Sequence, residues 1–387
     1  MKRFHSLDVF RGATVALMIL VNNPGSWKYI YPPFEHAPWH GCTPTDLVFP
    51  FFLFAVGNAM AFVFNRTSIE NKQQNGAFFW KITKRFFLIF IIGLLLNWFP
   101  FVKWSNWSAD GSLVAKTLDK LRILGVLQRI ALAYFFASTI VLFAGRKGSI
   151  IVSGILLIGY WVLCIIWGSA SDPFSLNGYF GTAIDKAILG EAHMYHGEGI
   201  AFDPEGLTST ITAIVQVIFG YLAGEFIIRK GKTFEMVAHL FVVAAILIFT
   251  AFMWNMVFPI NKKIWTSSYV LYTTGLALMV ISVLIYFIEL KNVKGFWINF
   301  FEVFGKNPLF IFVMSGVWVK LYMLIHITGE VVDGKQTYTN GYAWIYKNVF
   351  QQHFGDYPGS LLFAIAHVMV FWAIGYLLDK KKIYIRV

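Results

Sequence analysis

Charge is scarce in this sequence. Only 13% of its 387 residues are Asp, Glu, Lys or Arg, against about a quarter in ordinary soluble domains. With 57% hydrophobic residues, that shortage excludes a water-soluble globular domain. Cysteine is nearly missing too: Cys42 and Cys164 are the two present, so no disulfide framework is expected. The chain has no internal repeat, no low-complexity tract and no polar segment long enough for a separate soluble domain. Residues 1–387 therefore read as one domain. The net charge of +12 invites a nucleic-acid partner, but no stretch combines a dense basic patch with solvated polar surroundings, which excludes one. The run His193-Met194-Tyr195-His196, between Glu191 and Glu198, lies on a Gly-containing loop without helical i,i+4 spacing, and no metal is expected there.

What the chain does have is aromatic and aliphatic bulk, with 40 Phe and 14 Trp. A helix needs roughly 20 mainly apolar residues to cross the hydrocarbon layer. Runs that qualify lie near 6–23, 45–65, 86–102, 121–143, 149–169, 207–228, 235–258, 267–288, 307–325 and 358–378. The expected fold is all-α and polytopic, with about ten transmembrane helices. The start Met1-Lys2-Arg3 is followed by Asp8 and Arg11 and by no small-residue cleavage site, so it reads as an uncleaved first helix. Basic residues cluster at Lys2-Arg3, Arg66 and Lys72, Lys81 to Arg85, Arg146-Lys147, Arg229 to Lys232, Lys291 and Lys294, and Lys380 to Arg386. The alternate loops carry only scattered lysines. By the positive-inside rule both termini are cytoplasmic and the lipid bilayer is the surrounding partner. Trp98, Trp104, Trp107 and Trp265 fit an interfacial belt, and Gly220 with Gly224 fits close helix packing.

Ionisable groups inside spans are expensive and mark candidate sites. Asp8 and Arg11, three apart, can pair on one helical face. Arg122 and Arg129 share a stripe of the fourth span, with Gln128 beside the second. Arg122 can snorkel outward, whereas Arg129 lies deeper and needs an anionic partner. Glu302 and Lys306 can pair just before Asn307 and Pro308. The outer loop between the first two spans is denser still, reading His36-Ala37-Pro38-Trp39-His40-Gly41-Cys42-Thr43-Pro44-Thr45-Asp46. Its prolines stiffen the backbone around His36, and imidazole suits proton transfer near neutrality. Thr43, Pro44 and Asp46 form a capping-box start for the second span. Asp203 and Pro204 read likewise as N-cap and N1 of the sixth. These carboxylates, with Glu205, Trp39 and His193, are also placed to contact an acceptor at the outer face.

Several ordered blocks resemble the heparan-α-glucosaminide N-acetyltransferase family. They are Ser6-Leu7-Asp8-Val9-Phe10-Arg11-Gly12, His36 to Gly41, Thr45 to Pro50, Gly125-Val126-Leu127-Gln128-Arg129, Asp203 to Gly206, Asn261 to Ser267 and Gly305 to Pro308. The likeness runs over nearly the whole chain, which lacks the family's animal-type N-terminal lumenal region and so looks like a compact bacterial form in the inner membrane. The resemblance implies transfer of the acetyl group of cytoplasmic acetyl-CoA across the membrane to the amine of a glucosamine-type sugar or glycan. It makes His36 the active-site histidine, as base or transient acetyl carrier. Asn22 is implied beside it, with Asn23 as a substitute, and a homodimer is implied as well. Asp46 joins His36 and Asn22 as a catalytic candidate. Arg129, Lys306, Arg11, Asn307 and Gln128 are the candidates for the anionic donor. A secondary transporter competes with this reading, since intramembrane charges also suit solute coupling, as does a sugar O-acetyltransferase using the same histidine.

Overall fold

The computed structural model describes residues 4–70, 75–108, 110–332 and 335–385. Among them the chain is an all-α bundle. Its long helices are α1 (His5–Asn22), α2 (Val48–Glu70), α3 (Asn75–Trp98), α4 (Val126–Trp167), α6 (Leu207–Lys230), α7 (Phe234–Asn255), α8 (Ser267–Leu284, continued as a π-turn to Leu290), α9 (Phe296–Lys306), α10 (Pro308–Leu324) and α13 (Asp356–Lys380). Short helices α5 (Gly181–Leu189), α11 (Gly341–Ile345) and α12 (Gln352–Phe354) lie in the connections. Two small antiparallel hairpins, β1–β2 (Val102–Trp104, Leu113–Ala115) and β3–β4 (His326–Val332, Lys335–Asn340), also lie in the connections, with 3₁₀ turns at Pro32–Phe34, Pro44–Leu47 and Glu191–His193 and a π-turn at Tyr346–Gln351. Six helical stretches are long and apolar enough to span a membrane, or seven if α9 and α10, bent by 82°, form one broken span. The protein is a polytopic membrane protein. Its basic residues Lys2, Arg3, Lys72 and Arg386 lie outside the described residues.

Where the charges sit explains why α1 and α3 are not among the six. α1 carries Asp8 and Arg11, and α3 carries Lys81, Lys84 and Arg85. α4, at 42 residues, is broken at Gly145, whose φ of 62° is left-handed and costs glycine little. Arg146 and Lys147 follow the break directly. Helix starts are closed by side chains that satisfy the unpaired first-turn N–H groups. Glu289 accepts from Ser6 N and Ser6 Oγ at 3.0 and 3.1 Å, which fixes the start of α1. A capping box at Thr43 and Asp46 opens the 3₁₀ turn into α2, as the sequence indicated.

α6 departs from expectation. It begins at Leu207 with Gly206 as N-cap, so Asp203 and Pro204 lie outside it. The free N–H of Thr208 is taken instead by Asp185 of α5, at 3.1 Å. Asp203 is diverted because its oxygens are occupied by Arg122 and by Glu205 N.

The core centres on α2 against α6. A Cβ at Gly57 would run into the Val217 carbonyl oxygen, and one at Gly220 into that of Phe54. The two backbones thus meet through glycines, and the small-residue pair read in α6 has its counterpart in α2. Trp265 does not lie in an interfacial belt. It is 1% exposed, packed edge-on to Phe49 and Tyr269 with ring centroids 5.1 and 5.2 Å away.

Candidate functional site

The loop between α1 and α2 is held in place by the loop between α7 and α8. Gly41 N donates to Ile260 O at 2.7 Å, and Gly41, at φ 106°, takes a turn that a side chain would strain. Lys263 Nζ donates to Pro38 O at 2.8 Å and pairs with Glu198 at 2.7 Å. The Trp39 indole donates to Phe174 O at 2.8 Å, while its ring lies against Phe202. Asn261 Nδ2 stands 3.3 Å from His40 Nδ1, and burial lowers the pKa of His40.

These contacts leave a cavity of about 260 Å³ lined by His36, Trp39, Asp46, Arg122, Tyr195, Glu198, Glu205, Lys262, Lys263 and Trp265, among others. His36 Nδ1 is 2.7 Å from Asp46 Oδ1. An ionised carboxylate only accepts, so Nδ1 carries the hydrogen, and in the neutral imidazole the lone pair rests on Nε2. Asp46 is 1% exposed. Its Oδ2 accepts from Ala37 N and Thr43 N, both at 3.0 Å, and from Thr43 Oγ1 at 3.1 Å. The capping role and the contact with His36 therefore use different oxygens of one carboxylate. Lys262 Nζ lies 3.3 Å from Asp46 Oδ1, 3.0 Å from His36 Nδ1 and 3.5 Å from His36 Nε2. Burial pushes the Lys262 pKa down, and the nearby Asp46 and Glu205 carboxylates oppose that. Burial likewise raises the neighbouring Cys42 thiol to about 12, so it stays protonated and unreactive.

On the far wall Arg122 makes a forked contact with Asp203, at 3.0 and 2.6 Å, and a third bond to Glu205 at 2.6 Å. It points to protein carboxylates rather than outward to lipid headgroups. Tyr195 lies beneath its guanidinium, 4.8 Å from the ring centroid. Arg129 is wholly buried under the cavity, 5.0 Å from the Trp265 ring centroid, and donates to Gly206 O and Ser209 Oγ. Its Nε and Nη1 have no hydrogen-bond partner among the described residues. His193 Nδ1 is 2.7 Å from Leu121 O and does not line the cavity. Asn22 is exposed at the end of α1, while Asn23 is buried and donates to Ile19 O at 2.7 Å. Gln128 is buried beside Gly93.

The remaining candidates collect at the start of α1, roughly 16–21 Å along that helix from its loop end at 1.5 Å per residue. Arg11 pairs with Asp8 at 2.7 Å and donates to Gly305 O. Lys306 pairs with Asp379 at 2.8 Å and lies 4.0 Å from Glu302. Asn307 grips the C-terminal segment, donating to Ile383 O at 3.0 Å and accepting from Ile385 N at 2.8 Å. A second cavity of about 290 Å³ opens there, lined by Phe4, Asp8, Arg11, Asn58 and Phe62 among others. Asn58 is 3% exposed and its Oδ1 has no partner among the described residues. Sequence reasoning singled out Arg129, Lys306 and Arg11 together, but the structure separates Arg129 from the other two.

A 28% identity over 365 residues links the chain to heparan-alpha-glucosaminide N-acetyltransferase of Homo sapiens, covering 80% of this chain and 52% of that protein. The Mus musculus protein of the same name is 26% identical over 434 residues, covering 99% of this chain and 60% of its own length. The chain is a distant homologue of these proteins. It spans between half and three-fifths of the length of the relatives it matches. Residues 3–178 also match a family described as a domain of unknown function, DUF5009. That match takes in His36, Asp46 and Arg122 but ends before Glu205 and Lys262.

Lys262, Lys263 and Glu198 line the cavity and were not singled out as site residues. The one available signal was the Asn261-Lys262-Lys263 block, in which two adjacent lysines interrupt an otherwise apolar approach to Trp265. Among the described residues, no group of three or more His, Cys, Asp or Glu is placed to hold a metal ion.

Proposed function

We propose that this protein is a transmembrane acetyltransferase that moves the acetyl group of cytoplasmic acetyl-CoA to the amine of a glucosamine-type sugar on the opposite side. The observation that carries the reading is the His36 Nδ1 to Asp46 Oδ1 contact of 2.7 Å at a cavity lined by several charged side chains. A histidine oriented in this way presents Nε2 as a base for an amine proton, or as a nucleophile toward a thioester. Distant homology to N-acetyltransferases points to the same chemistry. The topology that goes with it has about ten spans and both termini cytoplasmic. α4 supports that count, because 42 residues extend roughly 63 Å, twice the hydrocarbon thickness, and the helix breaks at Gly145 beside Arg146. α1, α3 and the α9–α10 pair complete the set despite their charges. Under this topology His36 faces outward, and the cavity at Arg11, Asp8 and Asn58 faces the cytoplasm. It offers the CoA moiety aromatic walls beside Arg11, whose charge is paired with Asp8. The membrane is the cytoplasmic one.

The test uses purified protein, radiolabelled acetyl-CoA, glucosamine and a sugar bearing hydroxyls alone. Wild type acetylates glucosamine. His36→Ala still binds acetyl-CoA, because its side chain lies at the other cavity, and loses roughly 10²-fold or more in transfer, the scale of a positioned base. His40→Ala retains most activity. Transfer to the hydroxyl-only sugar alone identifies an O-acetyltransferase, and uptake of solute into vesicles without transfer identifies a transporter.

A further inference from the structure

The cavity holds three cations besides His36, and two of them are held in close ion pairs of 2.6 to 2.7 Å. Lys263 is tied to Pro38 O and Glu198, and Arg122 to Asp203 and Glu205. Lys262 is different. Its nearest carboxylate oxygen, on Asp46, is 3.3 Å away, and an ammonium has three N–H donors. One suffices for Asp46, and with His36 Nδ1 3.0 Å away the ammonium sits beside the imidazole in the wall of the cavity that Lys262 itself lines. Its Nζ is 3.5 Å from His36 Nε2, about the separation at which one small acyl group can touch both atoms.

We infer that Lys262 is a catalytic electrophile whose ammonium, anchored on Asp46, donates a hydrogen bond to the carbonyl oxygen of the acetyl thioester. This rests on the acetyltransferase reading above. In the direct transfer, the acceptor amine bonds to the carbonyl carbon and gives its proton to His36 Nε2. The carbonyl π pair moves onto oxygen, where Lys262 stabilises the negative charge. The pair then returns, the carbon–sulfur bond breaks, and the departing CoA thiolate takes the proton from the imidazolium. Positive charge fixed where negative charge develops is the kind of contact that lowers the barrier without tightening the ground state. The same oxygen becomes negative if His36 is acetylated first, so the role does not depend on that choice.

The groups facing Lys262 are Asp46 at the start of α2, His36 and Cys42 in the α1–α2 loop, and Glu205 before α6. Burial lowers the lysine pKa against the pull of the two carboxylates. The reaction needs the ammonium, so activity falls as pH rises through a value below the ordinary lysine range. An arginine does not deprotonate there.

Steady-state kinetics of Lys262→Met and Lys262→Arg with acetyl-CoA and glucosamine, from pH 6 to pH 10, test the assignment. Lys262→Met loses roughly 10²–10³-fold in kcat, with KM for both substrates within about threefold. Lys262→Arg recovers at least a tenth of wild-type kcat and keeps it at the alkaline pH where wild type declines. A Lys262→Met enzyme with wild-type kcat overturns the proposal. So does a Lys262→Arg enzyme that declines at high pH as wild type does, and that variant decides alone if Lys262→Met does not fold. An active wild type with indifferent Lys262 variants removes only this role, whereas wild type inactive toward any amino sugar removes the acetyltransferase reading and this role with it.

Discussion

Replacing Asp46 by Asn isolates what the carboxylate does for His36 from what it does for the fold. Oδ2 holds Ala37 N and Thr43 N, and Oδ1 faces His36 Nδ1 and Lys262 Nζ. The Asn carbonyl can take the Oδ2 position and keep both backbone bonds, so the turn into α2 survives. Its NH₂ group then points at the Nδ1–H of His36 and at an ammonium, donor against donors. Two charge-assisted bonds are lost, each worth about 1.5–3 kcal/mol when buried. His36 and Lys262 are 42% and 21% exposed in their side chains, so solvent screening reduces the total to about 2–4 kcal/mol. Asp46→Ala also strands both backbone N–H groups, at about 1–3 kcal/mol each. For activity the effect is different in kind. His36 relieves the clash by moving its hydrogen to Nε2, which removes the lone pair needed there, and kcat drops roughly 10²–10⁴-fold. Acetyl transfer to glucosamine, thermal unfolding in detergent and acetyl-CoA binding by calorimetry measure the three consequences separately. The Asp46→Asn, His36→Ala double variant is no worse than the poorer single one, because the two residues act as a unit. A folded Asp46→Asn protein with kcat within threefold of wild type refutes this account of the cavity.

Further outcomes follow from the same geometry. Asp185 is buried at the start of α6 and its pKa is pushed up to about 6 by burial. The folded protein thus holds that proton more tightly than the unfolded chain, and the advantage, present below the ordinary 3.8, is lost as pH rises through 6. Asp185→Asn still accepts from Thr208 and is expected to unfold at a higher temperature than wild type at pH 8, by up to about 3 kcal/mol of stability, with the gap narrowing to about half at pH 5 and closing toward the ordinary 3.8. A lower midpoint at pH 8 contradicts this. Gly220→Leu pushes side-chain atoms into the Phe54 backbone and lowers the melting temperature sharply, whereas Gly154→Leu, which meets nothing within 4 Å, leaves it unchanged. In a protein lacking Cys42 and Cys164, cysteine at position 35 is labelled by an impermeant reagent in intact cells. Labelling only after lysis overturns the topology.

Composition and periodicity made the bundle legible, because the bilayer penalises every alternative to apolar helices. They also located Asp8 with Arg11 and the Thr43–Asp46 cap, whose partners are close in sequence. Long-range partners were not readable. The spacing Asp203-Pro204 has the local form of a helix start, yet Arg122, distant in sequence, claims that carboxylate and Asp185 supplies the cap. Trp265 had the composition of a belt residue because sequence alone does not say which face of a loop turns inward. Lys262 escaped for a related reason: a lysine in an outer loop is ordinary until its neighbours are known.

The cavity's walls come from four stretches of chain, near residues 36–46, 122–126, 195–205 and 262–265. Lys262 and His36 are 226 positions apart. During synthesis, a chain that has emerged only through α6 possesses the histidine, its carboxylate and the Arg122 wall, but not the strap from the α7–α8 loop that sets the α1–α2 loop in place. The cavity is therefore completed only once α7 has inserted and its outer loop folds back, with α8 to α13 still to follow.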